Sequence, residues 1–349
     1  MQISSPLRLE LDKSALMANW QSLNRMTAGN CGAAIKANGY GLGAERVRHY
    51  LAQAGCRDFF VASWDEARLL DSSEKDFSLS VLHGLREEDL GYALTSSVKP
   101  VLCSPTMIAR WKSYAPDRPC DVMVDTGMNR LGLSMEEAGS GLLDGLQIEN
   151  LLSHLACADE IDHLLNQIQL DRFRILAARK QAKRYSLANS AGIFLDKAYH
   201  FDLARPGLAL YGGLPVEKAE GVLKQVVGIS AQAIQVREVE AGEGIGYGVC
   251  FTAPRKMRIA ILHVGYADGY WRAFFEKGQA VKDGVVCPLA GRVSMDMITV
   301  ALPDGLTAGE GDWFSVDFTL PSAAQQTGLS QYELLTGLGH RYQSVWQTV

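Results

Sequence analysis

A repeat of short apolar runs, each followed by a segment with helical spacing, fills residues 30–205 and leaves few possible folds. The repeat is about 24 residues long, which accommodates one strand, one helix and the turns between them. Because the runs are continuously apolar instead of alternating, we predict strands that are buried on both faces, as in a parallel sheet. The eight runs are AAIKA (33–37), DFFVAS (58–63), LSVLHG (79–84), PVLCS (100–104), CDVMVD (120–125), ENLLSHL (149–155), YSLANS (185–190) and HFDLAR (200–205).

Polar residues at the strand ends distinguish the two folds that eight such units allow, a closed barrel and an open doubly wound sheet. In a (β/α)8 barrel of the TIM type, the carboxyl ends of the strands form the catalytic face. The polar residues at or just after the predicted strand ends therefore favour the barrel: Lys36, His83, Asp125, His154, Asn189, Ser190 and Arg205. Between these strands, residues 158–180 form the clearest amphipathic segment, and we predict one helix there.

The character of the chain changes after about Leu223. Strand-like segments such as QAIQVREV and MRIAILHVG follow one another, and Lys-Asp-Gly at 282–284 is typical of a hairpin turn. No long helical pattern appears before LSQYELLTGL near the end. We therefore predict an α/β chain with a (β/α)8 barrel over residues 1–225 and a mostly-β domain over residues 226–349.

Composition excludes several classes of partner. The net charge is −5 and the basic residues are scattered among acids, so we expect no nucleic-acid surface. No signal-like N-terminus and no apolar run of about 18 residues is present, so we expect a cytoplasmic protein without a membrane partner. The seven cysteines are odd in number and lack CxxC spacing, so we expect them to be reduced and predict no metal site.

Lys36 ends the first apolar run and has two possible interpretations. A strand-end lysine can extend its ammonium group into solvent and have no chemical role. At the mouth of a barrel, however, a partly desolvated lysine becomes a nucleophilic amine suited to Schiff-base chemistry. The glycines that follow, at 39, 41 and 43, do not match the dinucleotide-binding pattern, which needs a different spacing and a downstream acid.

Two later segments could bind a phosphate group. Arg205 ends the eighth run, and Pro206-Gly207 follow it, where free backbone N–H groups could bind an anion. Asn189-Ser190 end the seventh run, which would lie beside the eighth in a barrel. Each segment taken alone is equally compatible with an ordinary turn.

Eight stretches, in the same order and over nearly the whole chain, resemble the alanine racemase family of pyridoxal-phosphate enzymes. Eight ordered motifs are far more specific than any one of them. The resemblance implies a barrel followed by a β-domain, with pyridoxal 5'-phosphate as the cofactor. The matching stretches are AIKANGYGLG, VDTGMNRLG, SHLACADE, ANSAG, ARPGLALYG, GYGVCFTA, VGYADGY and GRVSMDM.

The resemblance implies racemisation of a small amino acid by two bases, with L-alanine to D-alanine as the first expectation. Lys36 would hold the cofactor and act on one face of Cα, while Tyr247 of the other subunit of a homodimer would act on the opposite face. Two bases are needed because a proton removed from one side must be returned from the other. The implied biological role is supply of D-alanine as a peptidoglycan precursor, and a catabolic role stays open.

The resemblance also implies how the remaining site residues divide between cofactor and substrate. Arg205 would face the pyridine nitrogen without readily giving up its proton, and His154 would link Arg205 towards Tyr247. The implied cofactor-binding residues are Lys36, Tyr40, His154, Ser190, Arg205, Gly207 and Leu208. The implied substrate-binding residues are Arg130, Tyr266, Met295 and Asp296, with the planar Arg130 guanidinium matching a carboxylate.

Four positions depart from the family pattern. Met123 stands where the family commonly carries a carbamylated lysine that braces the substrate-binding arginine, so Arg130 must be held by an anion or another polar group. Gly246 precedes Tyr247 where the family favours serine, Ser294 replaces a cysteine, and His340 replaces a frequent tyrosine. These departures leave the substrate range open.

Three alternatives to alanine racemisation remain at this point. The first keeps the mechanism and changes the substrate to serine or a broader set of amino acids. The second is a decarboxylase on the same plan, which the carboxylate-binding Arg130 disfavours. The third is a non-catalytic cofactor-binding protein, which the presence of a β-domain carrying a second candidate base disfavours.

Overall fold

The computed structural model describes residues 4–71 and 76–347. The chain forms two compact units. One consists of Ala15–Lys224, and the other joins the N-terminal segment ending at Ser14 to the C-terminal segment beginning at Gln225. The second unit therefore includes the first strand, Leu7–Asp12, which the sequence analysis had placed with the barrel in residues 1–225.

Strands alternate with helices in the first part of the described chain, and strands predominate from Val227 onward. The strands are β1 (Leu7–Asp12), β2 (Asn30–Cys31), β3 (Ala33–Ala34), β4 (Asp58–Val61), β5 (Ser78–Val81), β6 (Lys99–Leu102), β7 (Pro119–Met123), β8 (Gln147–Leu152), β9 (Arg184–Ser186), β10 (Leu203–Ala204), β11 (Val227–Val239), β12 (Gly244–Ile245), β13 (Phe251–Thr252), β14 (Met257–Leu262), β15 (Gln279–Lys282), β16 (Val285–Pro288), β17 (Ile298–Leu302), β18 (Trp313–Val316) and β19 (Gln343–Gln347). The helices are α1 (Lys13–Met26), α2 (Lys36–Tyr40), α3 (Ala44–Ala54), α4 (Trp64–Leu70), α5 (Leu90–Ala93), α6 (Pro105–Tyr114), α7 (Met135–Gly139), α8 (Leu164–Arg179), α9 (Leu320–Thr327) and α10 (Gln331–Thr336).

The unit formed by Ala15–Lys224 is the predicted barrel. Strands β3 to β9 form one parallel sheet in sequence order, and β10 pairs in parallel with β2. Backbone hydrogen bonds from Arg205 to Ala188 (2.9 Å) and from Ala34 to Pro206 (2.8 Å) close the remaining seam. Each of the eight predicted runs overlaps a barrel strand, so the prediction of a (β/α)8 barrel is confirmed.

The barrel interior contains a polar cluster that the sequence analysis did not predict. Asp121 is completely buried and accepts hydrogen bonds from the Ser80 hydroxyl (2.6 Å) and the Asn150 amide (2.7 Å). Burial raises the pKa of the Asp121 carboxyl, and the Lys99 ammonium opposes that shift. Interiors of such barrels are usually filled by branched aliphatic side chains, so this polar cluster departs from the usual filling.

The other unit is organised by the long strand β11. Its first half pairs with β1 and β18, and its second half pairs with β14 after an irregularity between Ala233 and Gln235. The predicted turn at 282–284 joins β15 to β16, with Asp283 and Gly284 both at positive φ as a tight hairpin turn requires. The predicted mostly-β character of this segment is confirmed.

One predicted helix begins later than the periodicity indicated. The segment predicted as 158–180 is helical only over α8, because Asn166 turns its side-chain amide back to the carbonyls of Cys157 (3.0 Å) and Glu160 (2.9 Å). The His163 ring accepts the Leu165 N–H and caps the helix. Across both described ranges, no helix has the length and apolar composition needed to cross a bilayer.

Candidate active site

Lys36 begins a left-handed turn that carries it away from the end of strand β3. Ala37, Asn38 and Gly39 all have φ between 52° and 64°, a conformation that residues with a Cβ adopt at a cost. The turn is closed by hydrogen bonds from the Gly39 N–H to the Ile35 carbonyl (2.8 Å) and from the Gly41 N–H to the Ala37 carbonyl (2.9 Å). The lysine side chain is half-buried at the carboxyl edge of the barrel strands.

The charges around Lys36 favour its neutral amine. Burial lowers the pKa of the Lys36 ammonium below its ordinary value, and the positive charge of Arg130 lowers it further. The Glu66 carboxylate opposes both effects. A lysine in this setting carries a larger fraction of unprotonated, nucleophilic amine at neutral pH than a solvated one.

Arg130 is presented by a loop that Asp125 organises. The Asp125 carboxylate accepts hydrogen bonds from the backbone N–H groups of Gly127 (2.7 Å), Met128 (2.9 Å) and Arg130 (3.0 Å). Burial raises the pKa of Asp125, but these hydrogen bonds outweigh it and hold the pKa below its ordinary value. The Arg130 side chain is exposed, and the described residues give its guanidinium no acidic partner.

Met123 is buried below this loop. Its side chain belongs to an apolar cluster with Phe60, Val101, Cys103, Leu152 and Leu203. Its carbonyl accepts the Leu133 N–H (2.9 Å), which ties it to the far end of the Arg130 loop. These apolar surroundings suit the uncharged methionine side chain. The described residues of this cluster include no charged group that could hold the Arg130 guanidinium in place.

Arg205 is almost completely buried at the end of strand β10. It donates through Nη1 to the Ser186 hydroxyl and through Nη2 to the Ser153 carbonyl (2.5 Å). Burial lowers the pKa of Arg205 to about 10, and the Asp121 carboxylate opposes that shift. The guanidinium therefore remains protonated at neutral pH, with further N–H groups beyond the two used here.

His154 lies close to all three of these cationic side chains. Burial lowers the pKa of its imidazole to about 3, and the charges of Arg205, Arg130 and Lys36 add to the shift. The ring is therefore neutral at physiological pH. In the described structure His154 and Arg205 share no hydrogen bond, so the link between them stays a prediction.

A polar cradle lies beside Lys36 where the sequence analysis predicted phosphate binding. The Ser190 hydroxyl accepts the backbone N–H groups of Gly207 (2.9 Å) and Ala209 (3.2 Å), so the Gly207 N–H is engaged and not free as the sequence predicted. Leu208 begins the short 3-10 helix that follows Gly207. A Cβ at Gly207 would lie 2.1 Å from the Tyr40 hydroxyl oxygen, so a larger residue there would require the Tyr40 side chain to move. The Tyr40 ring stacks on Tyr211 with centroids 4.7 Å apart.

Tyr247, the predicted second base, lies in the β-rich unit at the start of a short 3-10 helix. Its side chain is 75% exposed, and the flanking Gly246 and Gly248 both have positive φ. The neighbouring Val249 is 61% exposed. This glycine-bordered turn presents the phenol away from the core of its own unit.

The three predicted substrate-binding residues of the β-rich unit lie together. The Tyr266 N–H donates to the Ser294 carbonyl and the Ala267 N–H to the Met295 carbonyl, both at 3.0 Å. Next to them, Asp296 pairs with Arg341 at 2.6 Å. The carboxylate of Asp296 is thus engaged within its own unit.

Sequence reasoning missed three charged residues that shape these elements. Arg341 pairs with the fully buried Asp268 as well as with Asp296, and Asp268 also accepts the Gly265 N–H (3.0 Å). Glu66 accepts the Ala37 N–H (2.6 Å). The Ser-x-x-Glu pattern at 63–66, which signals a helix start, was the available clue for Glu66.

Comparison with known proteins gives matches over nearly the whole chain. The model of the alanine racemase N-terminal domain matches residues 11–215, and that of the C-terminal domain matches residues 226–346. The alanine racemase of Acidiphilium cryptum is 39% identical and covers 98% of this chain and 99% of its own. The catabolic alanine racemase of Agrobacterium fabrum is 43% identical and covers 96% and 90%.

The structural comparison agrees with the sequence matches. The crystal structure of alanine racemase from Bartonella henselae with covalently bound pyridoxal phosphate has a TM-score of 0.90 to this chain. It is 34% identical and covers 99% of this chain and all of its own. The biosynthetic alanine racemase of Pseudomonas aeruginosa has a TM-score of 0.87 at 32% identity, and covers 99% of this chain and 100% of its own.

Proposed function

Because this chain belongs to the alanine racemase family, we propose that it interconverts L-alanine and D-alanine with pyridoxal phosphate and two protein bases, Lys36 and Tyr247. The observation that carries the proposal is Lys36, a half-buried amine facing Arg130 at the carboxyl edge of the barrel. A lysine with a lowered pKa in this position is suited both to bonding a carbonyl and to proton transfer.

The residues of the barrel fit pyridoxal phosphate. The Ser190 and Tyr40 hydroxyls and the Gly207 backbone form a cradle of small polar groups that suits a phosphate, and the clash expected of a Cβ at Gly207 shows how closely that cradle is packed. Arg205 has further N–H groups that could donate to the pyridine nitrogen of the cofactor. Lys36 has the amine that would bond the aldehyde carbon of the cofactor. When bound, the cofactor supplies an electron sink that makes the Cα–H bond of the amino acid acidic.

The two bases divide the proton transfer between the faces of Cα. Lys36 accepts or returns the proton on one face, because its lowered pKa keeps part of the amine unprotonated. Tyr247 accepts or returns it through its phenol oxygen on the other face. A single base could only return the proton to the side it came from, so inversion needs both residues.

Three barrel residues hold the reacting groups without exchanging protons with them. Arg130 binds the substrate carboxylate through its planar guanidinium. Arg205 keeps its proton, since even a pKa of about 10 leaves it charged at neutral pH. The His154 ring is neutral at this pH, so it adds no further positive charge beside Lys36 and Arg130.

We propose a homodimer in which Tyr247 acts on the partner subunit. Exposed apolar side chains on two adjacent loops of the β-rich unit support this assignment: Tyr247, Val249, Met295 and Met297. A Cβ at Gly246 would lie 3.7 Å from the Arg292 backbone nitrogen, which shows that the two loops are adjacent. Several exposed apolar side chains on neighbouring loops are typical of protein interfaces.

We place the protein in the cytoplasm, where it supplies D-alanine for peptidoglycan precursors. The role is inferred from the proposed reaction, whose product is the D-enantiomer of a common amino acid. Growth of a D-alanine-requiring bacterium carrying this chain, without added D-alanine, tests the role. Failure to grow despite racemase activity in the extract would contradict the proposed role.

The proposed reaction is tested by chiral chromatography of products formed from separate L-amino acids. We expect L-alanine to reach an equal mixture of both enantiomers, because the two enantiomers have the same free energy in water. We expect L-serine to react more slowly. Formation of carbon dioxide and an amine would identify the decarboxylase alternative. A cofactor-loaded protein that changes none of the amino acids would be the non-catalytic binding protein.

The methionine at position 123 leads to a second prediction, which concerns the response of the activity to bicarbonate and chloride. Because methionine cannot be carbamylated, depletion of bicarbonate should leave kcat/KM for L-alanine unchanged. Replacing chloride with gluconate at constant low ionic strength should raise KM, because Arg130 lacks an acidic partner among the described residues and a small anion can stabilise it. Activity that falls on removal of carbon dioxide and returns with bicarbonate would show that another lysine is carbamylated.

A further inference from the structure

Glu66 connects the first two loops at the carboxyl edge of the barrel. It lies in the first turn of α4, where its own N–H approaches the Ser63 hydroxyl at 3.4 Å. In the usual capping arrangement its carboxylate would turn back to the N–H of the capping serine. Here one oxygen instead accepts the Ala62 N–H (2.7 Å) and the other accepts the Ala37 N–H (2.6 Å).

The Ala37 contact falls on the most constrained part of the site. Ala37 is the first of the residues with positive φ and directly follows Lys36. An alanine does not favour this conformation by itself, so the surrounding contacts must hold it there. Among the described residues, Glu66 is the one whose side chain accepts the Ala37 N–H.

The same carboxylate is part of the charge environment of the lysine. The charged groups that act on the Lys36 amine are Arg130, which disfavours the ammonium form, and Glu66, which favours it. The His154 ring is neutral at physiological pH and adds no charge. Glu66 is the one negative contribution among these.

We propose that Glu66 is a positioning residue for Lys36, whose carboxylate fixes the left-handed turn through the Ala37 N–H and balances the charge of Arg130 at the amine. The inference rests on the proposed role of Lys36 as the residue that bonds the cofactor. Glu66 itself does not touch the reacting atoms in this account.

Three variants separate the hydrogen bond from the charge. Glu66→Gln keeps the shape but has only one acceptor oxygen for the two N–H groups and no charge. Glu66→Asp keeps the charge on a shorter side chain, and Glu66→Ala removes both. Asp65→Asn is the matched control, because it removes an equal charge from the same helical turn at an exposed position.

The readout is covalent capture of pyridoxal phosphate by the apoprotein, trapped with borohydride and located by peptide mass spectrometry across a pH series. The pH at which the capture rate is half of its maximum reports the charge state of Lys36. The limiting capture rate at high pH reports the positioning of Lys36. Glu66→Gln should shift the midpoint to lower pH, and Glu66→Ala should also reduce the limiting rate about tenfold. Glu66→Asp should restore the wild-type midpoint with a reduced limiting rate.

Thermal unfolding of each apoprotein identifies variants that have lost the fold. A folded Glu66→Gln protein with the wild-type midpoint and limiting rate would overturn the inference, as would an equal midpoint shift in Asp65→Asn. Wild-type protein that captures no cofactor on Lys36 would instead overturn the proposed function. The two failures are therefore distinguishable in one experiment.

Discussion

Lys36→Ala protein is expected to lose its racemase activity by a factor of about 10³ or more and to bind pyridoxal phosphate only reversibly. The expectation has two physical reasons. Lys36 supplies the amine that bonds the cofactor, and its lowered pKa makes it the base on one face of Cα. Visible absorbance before and after gel filtration, with chiral assay of L-alanine turnover, measures both losses.

The control for this variant is a lysine at the opposite end of the barrel. Lys183 pairs with Glu149 at 2.9 Å near the start of strand β9, so Lys183→Ala should keep both cofactor attachment and activity. Borohydride trapping of wild-type protein should label the peptide that contains Lys36. A label on any other lysine, or stable attachment in Lys36→Ala, would contradict the assignment.

Tyr247→Phe protein is expected to retain covalently bound cofactor while its racemase activity falls by a factor of about 10² to 10⁴, the range for loss of a general acid–base group. Phenylalanine keeps the ring and removes only the hydroxyl, so the fold should be unaffected at a side chain that is three-quarters exposed. The absorbance of the bound cofactor and the chiral assay separate the two properties.

A tyrosine distant from the proposed site provides the comparison. Tyr114 is more than half exposed at the end of α6, so Tyr114→Phe should behave as wild type. Wild-type activity in Tyr247→Phe would exclude the phenol as the second base. Loss of bound cofactor in that variant would show that Tyr247 has a binding role instead.

The barrel was predictable because its signal is local. Each strand is short, apolar and followed by its own helix, so the repeat at about 24 residues predicts the fold without knowledge of long-range contacts. The same reasoning failed for the start of α8, where Asn166 bonds backward to the preceding turn and competes with helix formation. It also failed for β1, whose partners β11 and β19 lie more than 200 residues away.

The candidate site was only partly predictable for the same reason. Lys36 and Arg205 stand at strand ends, where the fold class itself directs attention. The left-handed turn after Lys36 and its contact with Glu66 depend on atoms 29 residues apart in sequence, which no periodicity reveals. The pairing of Arg341 with Asp268 spans 73 residues and was equally hidden.

The central claim is that one active site takes Lys36 from one subunit and Tyr247 from the other, and mixing two inactive variants tests it most directly. After subunit exchange between equal amounts of Lys36→Ala and Tyr247→Phe proteins, about half of the dimers are mixed, and each mixed dimer has one intact site and one doubly altered site. We therefore expect recovery of about a quarter of wild-type specific activity. No recovery, with mixed dimers demonstrated by native mass spectrometry, would contradict it and place both bases in the same subunit.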